Sequence, residues 1–278
     1  MKAKRALSVA ARRTVRLLLA GLNTTPTYVV VGMRRSGNHA IINWLATRYT
    51  DSVLERDSTY RHLNVSSDGK LLFLNEFNTL GTKNLIWMTC HRWNRLRQAS
   101  AIIVSFEDTS VSDAIRSSPV RARYVKNVVV VQRSLLNVAA SRLQLLRRRA
   151  YQGRGISGLN VDRKFCEAWI DHQVQQDGEF VQLSFDSWLT EEGRAEYAKK
   201  LGILGGEVAI SHQGGGSSFS GTASLPSSDA LGSRFVHFDF GPDVTALLSS
   251  EQLRPHLTAA EAQFLRGLHH RSFETEIG

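Results

Sequence analysis

Short apolar runs alternate along this chain with segments whose apolar positions recur every three to four residues, a pattern of strands and helices taken in turn. The runs predict strands near 28–32, 71–75, 85–89, 101–106, 127–132 and 180–184. The longer periodicity predicts helices near 5–20, 37–48, 135–149, 161–175, 191–201 and 258–270. Val128-Val129-Val130-Val131 has no polar face at all, as expected of a strand buried on both sides. Such alternation implies an α/β fold with a central parallel sheet flanked by helices. No internal repeat interrupts it, and the low-complexity stretch 211–233, rich in glycine and serine, reads as either a functional lid or a disordered segment.

Charge and composition narrow the setting. The chain has 278 residues and a formal net charge of +10, which favours anionic partners without choosing among them. The first acidic residue is Asp51, whereas Lys2, Lys4, Arg5, Arg12, Arg13 and Arg16 crowd the start beside Leu17, Leu18 and Leu19. Residues 1–24 therefore read as a basic helical leader and 25–278 as one α/β domain. Three readings of the leader stay open: a helix lying on an anionic membrane, a solvated leader, and a targeting segment. Val15 to Leu22 is too short to span a bilayer and carries Arg16. The two cysteines, Cys90 and Cys166, indicate neither a disulfide framework nor a metal motif, so the expected setting is the cytoplasm, with peripheral membrane contact at most.

The chemistry concentrates at Tyr28-Val29-Val30-Val31-Gly32-Met33-Arg34-Arg35-Ser36-Gly37-Asn38-His39, where a β-run enters a glycine-bounded turn and then a helical pattern. Such a turn brings backbone N–H groups and the positive end of the helix dipole to one point, which is how proteins cradle phosphate. A Walker loop would place lysine and a hydroxyl after its last glycine, to hold phosphates and magnesium; here Asn38 and His39 follow Gly37.

Arg34-Arg35-Ser36-Gly37-Asn38-His39-Ala40-Ile41 resembles the P-K-S-G-T-T-W-L loop of sulfotransferases that use 3′-phosphoadenosine 5′-phosphosulfate (PAPS), with Arg35 in the lysine's place. A second family signature is a strand ending in arginine with a serine eight residues later on the next helix. Arg133 and Ser141 stand at that spacing after the Val128 run. Phe180 to Leu189, followed by Leu201-Gly202, is similar to the family's Y-E-D-L strand and L-G helix end, without the tyrosine and glutamate. Gly214 to Gly221 is similar to a late T-S-F segment, with Ser217 and Phe219 in the positions that touch adenine. The resemblance covers about residues 27 to 235 and implies a P-loop-like, sulfotransferase-type architecture for 25–278.

It also implies roles. PAPS would be the co-substrate, with no metal required. Arg34, Arg35, Ser36, Gly37, Asn38 and His39 would hold the 5′-phosphosulfate, Arg133 and Ser141 the 3′-phosphate, and Ser217 and Phe219 the base. A general base must take the proton of the acceptor hydroxyl or amine. Glu107, at the end of the Ala101 run, ranks first, His91 second and Glu76 third. The run Arg147-Arg148-Arg149, with Arg154, reads as a solvated helix face or as the lining of an anionic acceptor groove. A carbohydrate or glycolipid acceptor fits the latter, and nucleic acid is not expected as a partner. Two other function classes remain: a divergent P-loop kinase or nucleotide hydrolase, and a non-catalytic basic module for anionic lipid or nucleic acid.

Overall fold

In the computed structural model the residues described are 25–52, 54–60, 62–77, 94, 98–117, 125–153, 159–174, 180–203 and 234–274. The expected helix at 5–20, the strand at 85–89 and the loop 211–233 lie outside them, as do His91, Arg154, Ser217 and Phe219. The strands are β1 (Thr27–Gly32), β2 (Leu54–Arg56), β3 (Leu63–Ser66), β4 (Leu71–Leu74), β5 (Ala101–Glu107), β6 (Val125–Gln132) and β7 (Phe180–Ser184). The helices are α1 (Asn38–Ala46), α2 (Val111–Ser117), α3 (Leu135–Tyr151), α4 (Arg163–Gln173), α5 (Phe185–Trp188), α6 (Glu191–Leu201), α7 (Pro242–Leu248) and α8 (Ala259–Glu274). No helix among the described residues is long and apolar enough to cross a membrane.

The strands form one sheet in the order β2-β3-β4-β5-β1-β6-β7. From β4 to β7 all neighbours are parallel. The expectation of a parallel sheet needs one correction, because β2 and β3 pair antiparallel at the edge. They were missed because three or four residues carry no readable period, and because the β3–β4 turn rests on side chains: Ser66 Oγ donates to Asp68 Oδ1 and accepts from Leu71 N.

The central strands are buried on both faces. Val29 and Val31 of β1 join Val104, Phe106, Val128 and Val130 in one core layer, which α2 covers with Val111 and Ala114. Tyr28 and Val30 face the other way, into a layer with Ile103, Val129 and Val131 that α1 and α6 close with Ile41, Ile42, Leu45, Tyr197 and Leu201. Alternation of side chains along each strand produces these two layers. A third cluster packs α3 and α4 against the C-terminal elements through Leu136, Ala140, Phe165, Trp169, Leu248 and Leu265.

This topology puts the loops after β1 and β6 side by side. The chain leaves β1 for β2 at the far edge, returns through β3 and β4 to β5, and crosses β1 to reach β6. In open α/β sheets the crevice at such a reversal, outside the strand C-termini, is the usual ligand position.

The C-terminal region is fastened to α3 by one carboxylate. Glu261, buried in the first turn of α8, accepts from Thr258 N and Oγ1 with Oε2, closing a capping box, and from Leu136 N with Oε1 at 2.8 Å. Glu261→Ala leaves buried donors on two helices unmet and is expected to lower stability by about 2–3 kcal/mol, with Glu261→Gln intermediate, read from denaturant unfolding.

Candidate functional site

The loop after β1 is wound tightly by its own side chains. Ser36 N donates to Met33 O, Ser36 Oγ donates to Asn38 Oδ1, and Asn38 Nδ2 donates to Met33 O and to Glu107 Oε1. Ser36 and Asn38 therefore shape the loop from within. Gly32 allows this closeness, since a Cβ there would stand 2.0 Å from Asn38 Oδ1. Gly37 has φ 101° and faces the ring of Phe185, 2.3 Å from where a Cβ would lie. Glycine is the residue that tolerates both demands.

Gly37 is also the N-cap of α1, and no side chain caps that helix. The contrast with α3 is chemical: Ser134 Oγ accepts from Asn137 N there, and Glu261 takes Leu136 N. The α3 N-terminus already holds a carboxylate, whereas α1 has no acidic residue in its first turn. An anion is thus favoured at α1.

The two loop arginines diverge. Arg34 turns toward β4 and β5, where Nε donates to Glu107 Oε2 at 3.2 Å and the guanidinium lies 3.8 Å from both Glu76 and Asp108. Burial works against its charge, but Glu107, Glu76 and Asp108 outweigh that and raise its pKa. Arg35 turns the opposite way, and its Nε donates to Ser141 Oγ at 3.1 Å. Burial lowers the Arg35 pKa, with Glu107 acting against that shift and Arg149 adding to it.

Arg133 reaches the same place from the end of β6. One terminal nitrogen donates to Arg35 O at 2.9 Å, and the guanidinium stacks 4.9 Å from the centre of the Phe185 ring. Its Nε and other terminal nitrogen are buried without a hydrogen-bond partner among the described residues. Asp186 Oδ1, 3.9 Å from Nε, is likewise unmet, while Asp186 Oδ2 accepts from Ser134 N. Burial pulls the Arg133 pKa down, Asp186 opposes the shift, and Arg35 reinforces it. Arg35, Arg133 and Ser141 thus meet although Arg35 is 98 and 106 residues from the other two.

Of the remaining expected residues, His39 begins α1 with its ring edge-on to Phe73 and a buried, unpartnered Nδ1. Burial lowers its pKa and so favours the neutral imidazole, with Glu76 pulling upward and Arg35 downward. Glu107 ends β5 beside Gly32, with its side chain only 5% exposed. Glu76 follows β4 and keeps 28% of its side chain exposed. Phe185, Asp186, Asp108 and Arg142 belong to the site but were not singled out in the sequence. The Ser-Phe-Asp-Ser-Trp turn after the 180–184 run was the available signal for the first pair.

Among the described residues, the non-glycine positions in the left-handed region are Arg35 (φ 78°), Glu76 (φ 47°) and Asp108 (φ 53°). They follow β1, β4 and β5 at one edge of the sheet. Such conformations cost energy and concentrate where function demands a geometry.

A comparison of the chain with family models, with curated proteins and with solved structures finds no match.

Burial, then repulsion from Glu76, raises the Glu107 pKa, with Arg34 and Asn38 opposing. The folded state therefore holds this proton more tightly than the unfolded chain. Its stabilising effect is complete below the unfolded pKa and fades as pH rises through the folded value. Relative to wild type, Glu107→Gln is expected to gain stability as pH increases above about 4.5, the usual glutamate value, as checked by unfolding midpoints at successive pH values.

Proposed function

We propose that the protein is a sulfotransferase that binds PAPS and transfers its sulfuryl group to a hydroxyl or amine. The convergence of Arg35, Arg133 and Ser141 beside an uncapped helix N-terminus carries this reading. A 3′-phosphate at Arg133 and Ser141 would take the place of Arg35 Nε at Ser141 Oγ, turning Arg35 to the 5′ group, and would relieve a buried guanidinium with two unmet donors. The parallel order with β1 between β5 and β6 supports a P-loop-like nucleotide fold.

The transfer forms a bond from sulfur to the acceptor atom as the bond from sulfur to the phosphate oxygen breaks. Charge gathers on the departing phosphate, and fixed positive groups lower that barrier. In this reading Arg35 and the first-turn N–H groups of α1 receive that charge, and neutral His39 adds a hydrogen bond. Arg133 and Ser141 hold the 3′-phosphate.

The base is chosen by access. Glu107 is spent on Arg34 and Asn38 beneath the loop, whereas Glu76, which follows β4 within 3.8 Å of Arg34, is the more exposed carboxylate of the pair. We assign the acceptor proton to Glu76, with the acceptor on the β4–β5 side. A carbohydrate or glycolipid hydroxyl suits that role.

Calorimetric titration with 3′-phosphoadenosine 5′-phosphate is expected to show binding that depends on the 3′-phosphate and exceeds that of ADP with magnesium. Ser141→Ala should weaken it about tenfold and Arg133→Gln about a hundredfold, as for lost hydrogen bonds to a charged group. Preference for the magnesium nucleotide would instead favour a kinase or hydrolase. Glu76→Gln should preserve nucleotide affinity and lower kcat by about 10²–10⁴-fold with acceptor present, while the same loss from Glu107→Gln alone would move the base there.

A further inference from the structure

A loop that receives an anion must keep its carbonyl oxygens away from it. In this loop the carbonyls of Arg34 and Arg35 are each held by a guanidinium from elsewhere. Arg133 takes Arg35 O, and Arg142, on α3 beside Ser141, donates from Nε to Arg34 O at 3.2 Å. Arg142 is buried, its guanidinium carbon lies 4.7 Å from the centre of the Phe165 ring, and its terminal nitrogen pairs with Asp108 Oδ1. The same Asp108 oxygen accepts from Arg34 N at 2.9 Å. Asp108 N in turn donates to Gly32 O, and Asp108 itself is left-handed. Arg142 and Asp108 thus grip both backbone groups of Arg34.

The peptide bonds are trans, so each N–H points opposite to the carbonyl of the preceding residue. Drawing Arg34 O toward Arg142 turns the Arg35 N–H to the other side of the loop. Drawing Arg35 O toward Arg133 turns the Ser36 N–H inward, where it meets Met33 O.

We infer that Arg142, acting with Asp108, is a positioning residue that sets the peptide orientation of the β1–α1 loop and makes it able to accept an anion. It need not touch the ligand. The inference deepens the sulfotransferase reading by naming what builds its phosphate cradle, and so rests on it for the ligand alone.

Two readouts separate the claims. Hydrogen exchange of the Arg34 amide, measured without nucleotide, reports the grip itself; Arg142→Gln should speed it at least about tenfold, and Arg142→Lys should recover part of the protection. Affinity for 3′-phosphoadenosine 5′-phosphate should fall about tenfold or more in Arg142→Gln. Leu248→Ala, which opens a cavity in the C-terminal layer, should lower the unfolding midpoint without altering either readout. If Arg142→Gln exchanges and binds like wild type, or if Leu248→Ala weakens binding equally, the positioning role is overturned. If wild type fails to bind the nucleotide while Arg142→Gln still accelerates the Arg34 amide, the positioning role stands and the sulfotransferase reading falls.

Discussion

Two guanidiniums donating to consecutive carbonyl oxygens are the contacts on which the rest of the site depends. Arg133 on Arg35 O and Arg142 on Arg34 O add, to the bonds Ser36 and Asn38 make within the β1–α1 loop, a hold from outside on the peptides that flank the left-handed Arg35. A lone loop pays for such a conformation and relaxes. Here β5, β6 and α3 each contribute to the grip, and all three are set by the sheet order rather than by the loop itself.

The charge layout follows from that scaffold. Arg34 and Arg35 are adjacent in sequence yet serve opposite sides: one is neutralised by Glu76, Glu107 and Asp108, the other joins Arg133. On the acidic side three carboxylates surround Arg34, and one of them, Asp108, also pairs with Arg142. On the basic side two guanidiniums repel, each held below its ordinary pKa first by burial, and two donors of Arg133 make no hydrogen bond among the described residues, with Asp186 3.9 Å from one of them. Buried like charges are unfavourable unless something anionic completes them. In the proposed reading a phosphate completes this basic side, where Asp186 now stands nearest to Arg133.

Much of this was legible because strong local patterns coincide with it. The β1 and β6 runs are apolar on both faces, so their positions, the glycine-bounded turn and the helix that presents Ser141 could be read directly. Arg35 and Arg133 follow those runs and Ser141 lies within the helix after β6, and it was the resemblance in their spacing that marked them out. Asp108, Arg142, Phe185 and Asp186 do not stand out, because each is a single residue whose partner lies far along the chain. The Arg34 contacts to Asp108 and Arg142 span 74 and 108 residues, and no local period encodes such a pairing. Glu107 was legible as a strand-end carboxylate, but its burial under Asn38 became apparent only once the loop was folded over it. The edge strands β2 and β3 were too short to declare themselves.

A crystal structure of the protein grown with 3′-phosphoadenosine 5′-phosphate tests the central claim most directly. The account predicts the 3′-phosphate within hydrogen-bond distance of Ser141 Oγ and the Arg133 guanidinium, with the 5′-phosphate at the N-terminus of α1 beside Arg35. A nucleotide bound away from the β1–β6 crevice, or one whose 3′-phosphate meets neither Ser141 nor Arg133, would contradict it.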